Sequence, residues 1–465
     1  MVKYAHLADL HIGGWREGVL RDAQSQSFKQ AVSKCIQEKV DFILIAGDFF
    51  NTSFPSIDCL KDVTQTLKEL SDANIPVYII EGSHDYSPSG KTIIDVFERA
   101  GLMIKVFKGK VENKTLKLEF TVDKKTGIKI TGIIGKRGML DREFYETLDI
   151  SHLEKEQGYK IFMWHTSLTE LKPKHLNQME STDISFLPKG FAYYAGGHVH
   201  YPMKISPQNY GTIAQPGPTF PNNFAELEEL KQGGFYIIES NANSKESKLD
   251  RVVWHPINMI NVHSVNLDCQ DKSPEAITSE LIENFSDKEL SNTVVLIRLS
   301  GELKTGTASD INFKSIYELL NQKSALTVLK NTSKLSSKTF EAVQVVTSTS
   351  SEEMEEKIIN QALTNLKDSI DSSTIASLAD SDLVKQLMSV MYKEREEGEK
   401  VGDFEIRLKN DVFQTLRKFD QNDLFDEAKS STKKQTDSDG LRIIKLSKTI
   451  KLDKPNQEET TLQEE

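Results

Sequence analysis

Between residues 1 and 240, short apolar runs alternate with longer stretches in which apolar positions recur every three or four residues. VKYAHLA (2–8), DFILIAG (41–47) and PVYIIEG (76–82) have the length and near-continuous apolar character of strands covered on both faces. AQSQSFKQAVSKCIQEK (23–39), the Ser56–Leu70 region and TIIDVFERAG (92–101) predict helices, the last ending at a glycine. KITGIIG, YKIFMWH, FAYYAGG and GFYIIE predict four more strands. Buried strands separated by helices indicate a layered α/β domain, placed at residues 1–255.

The pattern changes near Asn258. MINVHSVNL, TVVLIRLSG and ALTVLK predict three strands, with PEAITSELIENF and INFKSIYELL as helices between them. These make a small α+β domain at 256–346. VTSTSSEE (346–353) has the composition of a linker and opens a helical region at 347–427. There Met354, Ile358, Ala362 and Leu366 recur every fourth residue, as do Leu383, Leu387 and Met391, so each set forms a helical stripe. Such a stripe serves either the protein's own core or a partner. Residues 428–465 predict a disordered polar tail, interrupted by LRIIKL.

The formal charge of −11 is unevenly spread: residues 1–250 carry 30 Lys and Arg against 32 Asp and Glu, and the rest 28 against 37. Cations held by carboxylates of the first half would make its field more positive, so a polyanionic substrate is neither excluded nor required. Cys35, Cys59 and Cys269 are scattered and odd in number, which fits a reducing intracellular compartment without a disulfide framework. No apolar run reaches membrane-span length and MVKYAHLADLH lacks signal-peptide architecture, so no membrane association is expected.

In α/β sheets, ligands gather at the carboxyl ends of strands. The first predicted strand runs into Asp9-Leu10-His11, the second into Gly47-Asp48, and the third into Gly82-Ser83-His84-Asp85. YKIFMWH ends at His165, and FAYYAGG runs into His198-Val199-His200. Those last two imidazoles share one side of an extended segment, and Gly196 and Gly197 let the backbone turn or approach another group closely. Singly, each motif is ordinary: D-x-H is a loop feature, GD is turn chemistry, and a lone histidine belongs to a core or rim. Five in order, each after a predicted strand, form a metal-ligand set. Imidazole with carboxylate suits Mn²⁺, Fe²⁺ or Zn²⁺, and the lack of thiolates argues against a structural zinc cage. His6, His152, His175, His255 and His263 lie outside the motifs and are expected to be structural or solvent-facing. No G-x-x-x-x-G-K-[ST] is present, so ATP binding is not expected.

DLH, GDFFNTSFPS, IEGSHD, MWHTS and GHVH resemble the five motifs of the calcineurin-like binuclear metallophosphoesterases. The neighbourhoods of the second and third motifs, IAQPGPTFP (213–221), the small domain and the helical C-terminal part resemble, more narrowly, the SbcD/Mre-type nucleases of DNA double-strand-break repair. The motifs cover residues 1–240; beyond them only domain order is similar. The resemblance implies a layered β-sandwich flanked by helices, a small α+β capping domain that binds DNA, and a C-terminal helical region that docks on an SbcC/Rad-type ATPase. It also implies that Asp9, His11, Asp48 and His200 hold one Mn²⁺ and that Asp48, Ser83, His165 and His198 hold a second, with Asp48 as the bridge. In-line attack on a DNA phosphodiester would follow, His84 stabilising or protonating the leaving oxygen and Asp85 orienting His84.

Expected with this family are 3′–5′ double-strand exonuclease and single-strand endonuclease activities and a homodimer, with the helices near 56–70 and 92–100 as interface candidates. An intracellular location is also expected, cytoplasmic and nucleoid-associated in a prokaryote. Trp15, Arg16, Arg21, Lys136 and Arg137 sit where a substrate backbone would pass, and Arg and Lys pair with phosphates without reading sequence. Ser83 departs from the family pattern, in which an asparagine carbonyl is usual; a shorter hydroxyl predicts a weaker second metal site. Two other readings share the metal core: a small-molecule phosphoesterase such as a nucleotidase, and a non-catalytic scaffold of the repair complex. The added domains favour the nuclease over the first, and the otherwise complete ligand set favours it over the second.

Overall fold

The computed structural model describes residues 1–87, 90–241 and 249–337, with scattered, mostly helical residues between 386 and 415. Residues 1–340 form one compact unit and 341–465 another. The linker, the stripe from Met354 to Leu366, Leu383 and the LRIIKL run lie outside the described residues. Leu387 and Met391 fall on described helical positions, and Met391 is exposed.

Two six-stranded mixed sheets lie face to face in the first 257 residues. The first runs Leu249–Ile257, Gly233–Ser240, Val2–Leu7, Phe42–Ala46, Val77–Ile80, Ile104–Lys105, and the last four of these are parallel. The second runs Met203–Ile205, Thr212–Gln215, Tyr193–Gly197, Lys160–His165, Lys129–Gly132, Thr121–Val122, with its middle four parallel. Successive side chains alternate between faces. Tyr4, Phe42, Leu44 and Tyr78 therefore meet Ile130, Ile161, Met163 and Tyr193 between the sheets. Their neighbours Ala5, Leu7, Ile43 and Ile45 face the opposite way, onto Phe28 and Val32 of the helix Gly18–Gln37 and Val63 and Leu67 of the helix Ile57–Asp72. Cover on both faces explains the unbroken apolar runs. The parallel arrangement also brings the carboxyl ends of the motif-bearing strands to one edge.

Asn261–Asp268, Thr293–Leu303 and Thr327–Ser337 form a parallel three-stranded sheet, with helices Pro274–Ser286 and Phe313–Gln322 as crossovers. In its central strand Val295, Ile297 and Leu299 pack on Ile277, Leu281 and Ile316 of those helices. The intervening Val294 and Leu296 pack on Trp15, Leu20, Phe220 and Leu227 of the larger domain. Each such buried Val or Leu contributes about 1.5–3 kcal/mol relative to exposure.

Four sequence readings shift. The first helix begins at Gly18, five residues before Ala23. The strand ending at Ile257 still pairs with the first sheet, so the larger domain runs two residues past 255. Trp15 is buried in the inter-domain seam, its indole N–H donating to Pro221 O at 2.9 Å, so it packs rather than lines a substrate path. The helix Phe224–Leu230 was not predicted; seven residues are too few for a periodic signal. No described helix is long and apolar enough to cross a membrane.

Candidate metal centre

At the shared sheet edge the backbone bends sharply. Asp9, His11, Asp48 and His198 have φ of 53°, 45°, 48° and 90°, conformations that cost a non-glycine residue of order 1–3 kcal/mol each. Each lies in the segment just past a strand, where its side chain joins the cluster at that edge. Gly47 must be glycine: its φ is +85°, and a Cβ there would stand 2.1 Å from His165 Nδ1. A Cβ on Gly197 would stand 2.3 Å from Ala46 O, so this glycine permits the two sheets to close.

Asp48 is the hub. Its Oδ1 accepts the His84 backbone N–H at 2.8 Å, while Oδ2 lies 3.1 Å from His165 Nε2, 3.5 Å from His11 Nε2 and 3.5 Å from Ser83 Oγ. Asp9 Oδ1 accepts the His198 backbone N–H at 2.8 Å and lies 3.9 Å from His200 Nε2, and Asp9 Oδ2 is buried without a partner. The Nε2 atoms of His11 and His200 face each other at 3.1 Å, which requires a proton or a cation between them. Among the described residues, ligand atoms within 4.8 Å of one another form three groups: Asp9, His11 and His200; His11, Asp48 and His84; and Asp48, His165 and His198.

The second ring nitrogens fix the tautomers. His165 Nδ1–H donates to Ala46 O at 2.8 Å, leaving Nε2 toward Asp48. His200 Nδ1–H donates to Glu226 Oε1 at 2.8 Å, leaving Nε2 toward Asp9 and His11. Such outer partners orient ligating imidazoles and raise their basicity.

Burial dominates the proton affinities, and charge partners oppose it. Burial alone would raise Asp48, but the His165, His11 and His84 imidazoles hold it well below the usual carboxylate range. Asp9 is pushed up by burial and by Asp48. Burial disfavours a charged His165, yet Asp48 and Asp9 carry it up to about 10. His200 rises to about 9 because Glu226 and Asp9 outweigh burial. His198 falls to about 4 through burial and the neighbouring His165. Without a metal, protons on His165 and His200 stand in for cations. The orphaned Asp9 Oδ2 and the opposed Nε2 pair fit a metal, which Asp9, His11 and His200 would hold; Asp48, His165 and His198 would hold another, while His84 groups with His11 and Asp48, and Ser83 comes near only through Asp48.

His84 and Asp85 differ from expectation. His84 Nδ1–H donates to Asn51 O at 2.9 Å, so a backbone carbonyl orients the ring. The Asp85 carboxylate instead accepts backbone N–H groups from Phe49, Phe50 and Gly82 at 3.0, 2.9 and 3.0 Å. These three backbone donors take up its oxygens, and Asp85 ties the adjacent loops together. Burial and Asp48 still push its pKa up to about 7.

Lys136 and Arg137 line a cavity with Ser83, His84, Asp141, His165 and His198. The Lys136 ammonium lies 4.0 Å from the Phe144 ring centroid, and Arg137 Nε–H donates to Ser83 O at 3.2 Å. Arg16 is exposed in the loop before the first helix, and Arg21 lines a different cavity with Asp22, Asp58 and Asp62. Neither lines the metal-side cavity. Sequence reading missed Glu226, Asn51 and Asp141. The N-cap pattern Asn223-x-x-Glu226 marks the start of a helix but not Glu226's bond to His200.

Residues 2–202 match the family model for calcineurin-like phosphoesterases. In that match, and in its two-sheet fold and aspartate–histidine cluster, this part of the chain is similar to the calcineurin-like phosphoesterases. More particularly, the chain is similar to proteins named DNA double-strand break repair protein Mre11. That of Archaeoglobus fulgidus is 28% identical over 227 residues, covering 46% of this chain and 49% of that protein. Those of Methanococcus maripaludis and Saccharolobus solfataricus are 24% and 26% identical, covering 64% and 65% of this chain and 84% and 76% of those proteins. The chain thus spans about half of the first relative and more of the other two.

Proposed function

We propose that this protein is a Mn²⁺-dependent DNA nuclease of double-strand-break repair. The observation that carries the reading is a chain of three ligand groups, two sharing Asp48 and two sharing His11, beside a cavity lined by Lys136 and Arg137. Two cations bound there would acidify a water and draw charge from a phosphodiester. The protein's part is to hold and orient. Asp48 offers one oxygen to both halves of the site, and the Ala46 carbonyl and Glu226 aim His165 and His200. The Asn51 carbonyl holds His84 Nδ1–H, so Nε2 is the atom left to carry a proton to the leaving oxygen. Lys136 and Arg137 pair with backbone phosphates on the same wall. The relatives' name, DNA double-strand break repair protein, favours DNA over a small phosphoester. Exonuclease action on duplex ends, endonuclease action on single strands and an SbcC/Rad-type ATPase as partner of the C-terminal region belong to the same proposal through the motif resemblance.

A homodimer belongs to this reading. Phe54, Ile57 and Val96, on and beside the helices Ile57–Asp72 and Ile93–Arg99, are exposed apolar side chains that a second copy would cover.

The test is incubation of labelled duplex and single-stranded DNA with the purified protein in Mn²⁺, Mg²⁺ or chelator, with Asp48→Asn alongside. Cleavage should require metal and be lost in the variant. Hydrolysis of an aryl phosphate without cleavage of DNA would overturn the reading.

A further inference from the structure

The helix Phe224–Leu230 carries three glutamates, two bound to neighbouring residues of the larger domain and one to the small domain. Glu226 accepts from His200 Nδ1–H at 2.8 Å. Glu229 accepts the hydroxyl of Tyr201, the next residue in the chain, at 2.5 Å. Glu228 reaches the small domain: Arg298 Nη2 donates to its Oε2 at 2.6 Å, and Arg298 Nε lies 3.0 and 3.2 Å from its two oxygens. The guanidinium also covers the Phe224 ring, 4.9 Å from its centroid.

Arg298 follows Val294 and Leu296 at two-residue spacing, on the strand face packed against the larger domain, where an apolar residue would continue the seam. The Arg298 and Glu228 side chains are only 23% and 19% exposed. A two-point guanidinium–carboxylate pair with a ring beneath it fixes angle as well as distance. As an adhesive it is inefficient, because an apolar pair of similar volume is commonly as stabilising as a desolvated ion pair. Its geometry suits alignment better.

Resting on the reading of Asp9, His11 and His200 as ligands of one metal, we propose that Arg298 is a positioning residue for that metal site. It holds the helix through Glu228 and Phe224. The helix holds the His200 ring through Glu226 and the adjoining backbone through Glu229 and Tyr201. Arg298 thus belongs to one domain and tunes a ligand in the other. A tilt of the small domain reaches His200 along this route, whereas His165 takes its orientation from Ala46 within the sandwich and lies off it.

Full-length wild type, Glu226→Gln, Arg298→Met and the charge swap Arg298→Glu with Glu228→Arg are stripped of metal and titrated with Mn²⁺ by calorimetry. Thermal unfolding of the metal-free proteins is recorded beside them. Glu226→Gln should weaken the tighter binding step by about 10–100-fold, the range for partners of ligating histidines, and Arg298→Met by about tenfold. The weaker step should not move, and the charge swap should recover part of the loss. A lower metal-free melting temperature with both steps at wild-type affinity would make the pair a domain staple and overturn the proposal, as would equal weakening of both steps. Expected titrations without DNA cleavage would sink the nuclease reading alone; cleavage with unmoved titrations would sink this one alone.

Discussion

The Asp85 carboxylate accepts the backbone N–H of Phe50 at 2.9 Å, while the neighbouring His84 ring donates to Asn51 O. With bonds from Phe49 and Gly82 as well, the carboxylate ties the loop after the second strand to the loop after the third. Asp85→Asn keeps one acceptor oxygen for three donors, so it should cost about 1–3 kcal/mol of stability. His84→Ala should leave urea unfolding near wild type while lowering turnover about 10²–10⁴-fold. If Asp85→Asn unfolds like wild type and loses only turnover, its loop-tying role is wrong.

Metal should act as a structural ligand of this chain. At 100 times its Kd, a cation bound only by the folded state adds ~2.7 kcal/mol. Thermal scans with and without chelator should show this upward shift, and Asp48→Asn should abolish most of it, because its Oδ2 faces both halves of the site.

Ser83 Oγ lies 3.5 Å from Asp48 Oδ2, at the edge of a hydrogen bond and on a short side chain. Manganese titration should resolve a tighter and a weaker step, with Ser83→Asn strengthening the weaker one. Two equally tight steps in the wild type would refute the weak-ligand account.

His6 gives a pH signature away from the metals. It is fully buried between the sheets, Nε2–H donating to Gly196 O at 3.1 Å and Nδ1 accepting the Tyr193 hydroxyl at 2.9 Å. Burial lowers its pKa from 6.5 to about 3. Below pH 6.5 the unfolded chain therefore takes up a proton that the folded chain refuses, so this stabilising contribution is present above 6.5 and is lost progressively toward 3. Between pH 7.5 and 5 that amounts to about 2 kcal/mol. Urea unfolding in chelator should show wild type losing this much more than His6→Gln over that interval; equal losses would contradict it.

Much of the centre was legible because it is written locally. Asp9, Asp48, His165 and His198 each follow a strand whose apolar run announces it, and parallel strands necessarily deliver their carboxyl ends together. What could not be read depends on tertiary contacts. The His84 orienter is a carbonyl 33 positions away, and a backbone oxygen leaves no mark on side-chain identity. Glu226 lies 26 positions from His200 on a helix too short to declare itself. Trp15 and Arg21, close to a ligand motif in sequence, sit in other surroundings, the first against the small domain's sheet and the second in a separate cavity.

The left-handed backbone at Asp9, His11, Asp48 and His198 bears on how fast the centre loads. Because the polypeptide has taken up these bends during folding, an arriving ion meets donors already in place. Loading should then be paced by water leaving the cation's hydration shell, with no slow chain rearrangement visible in stopped-flow records.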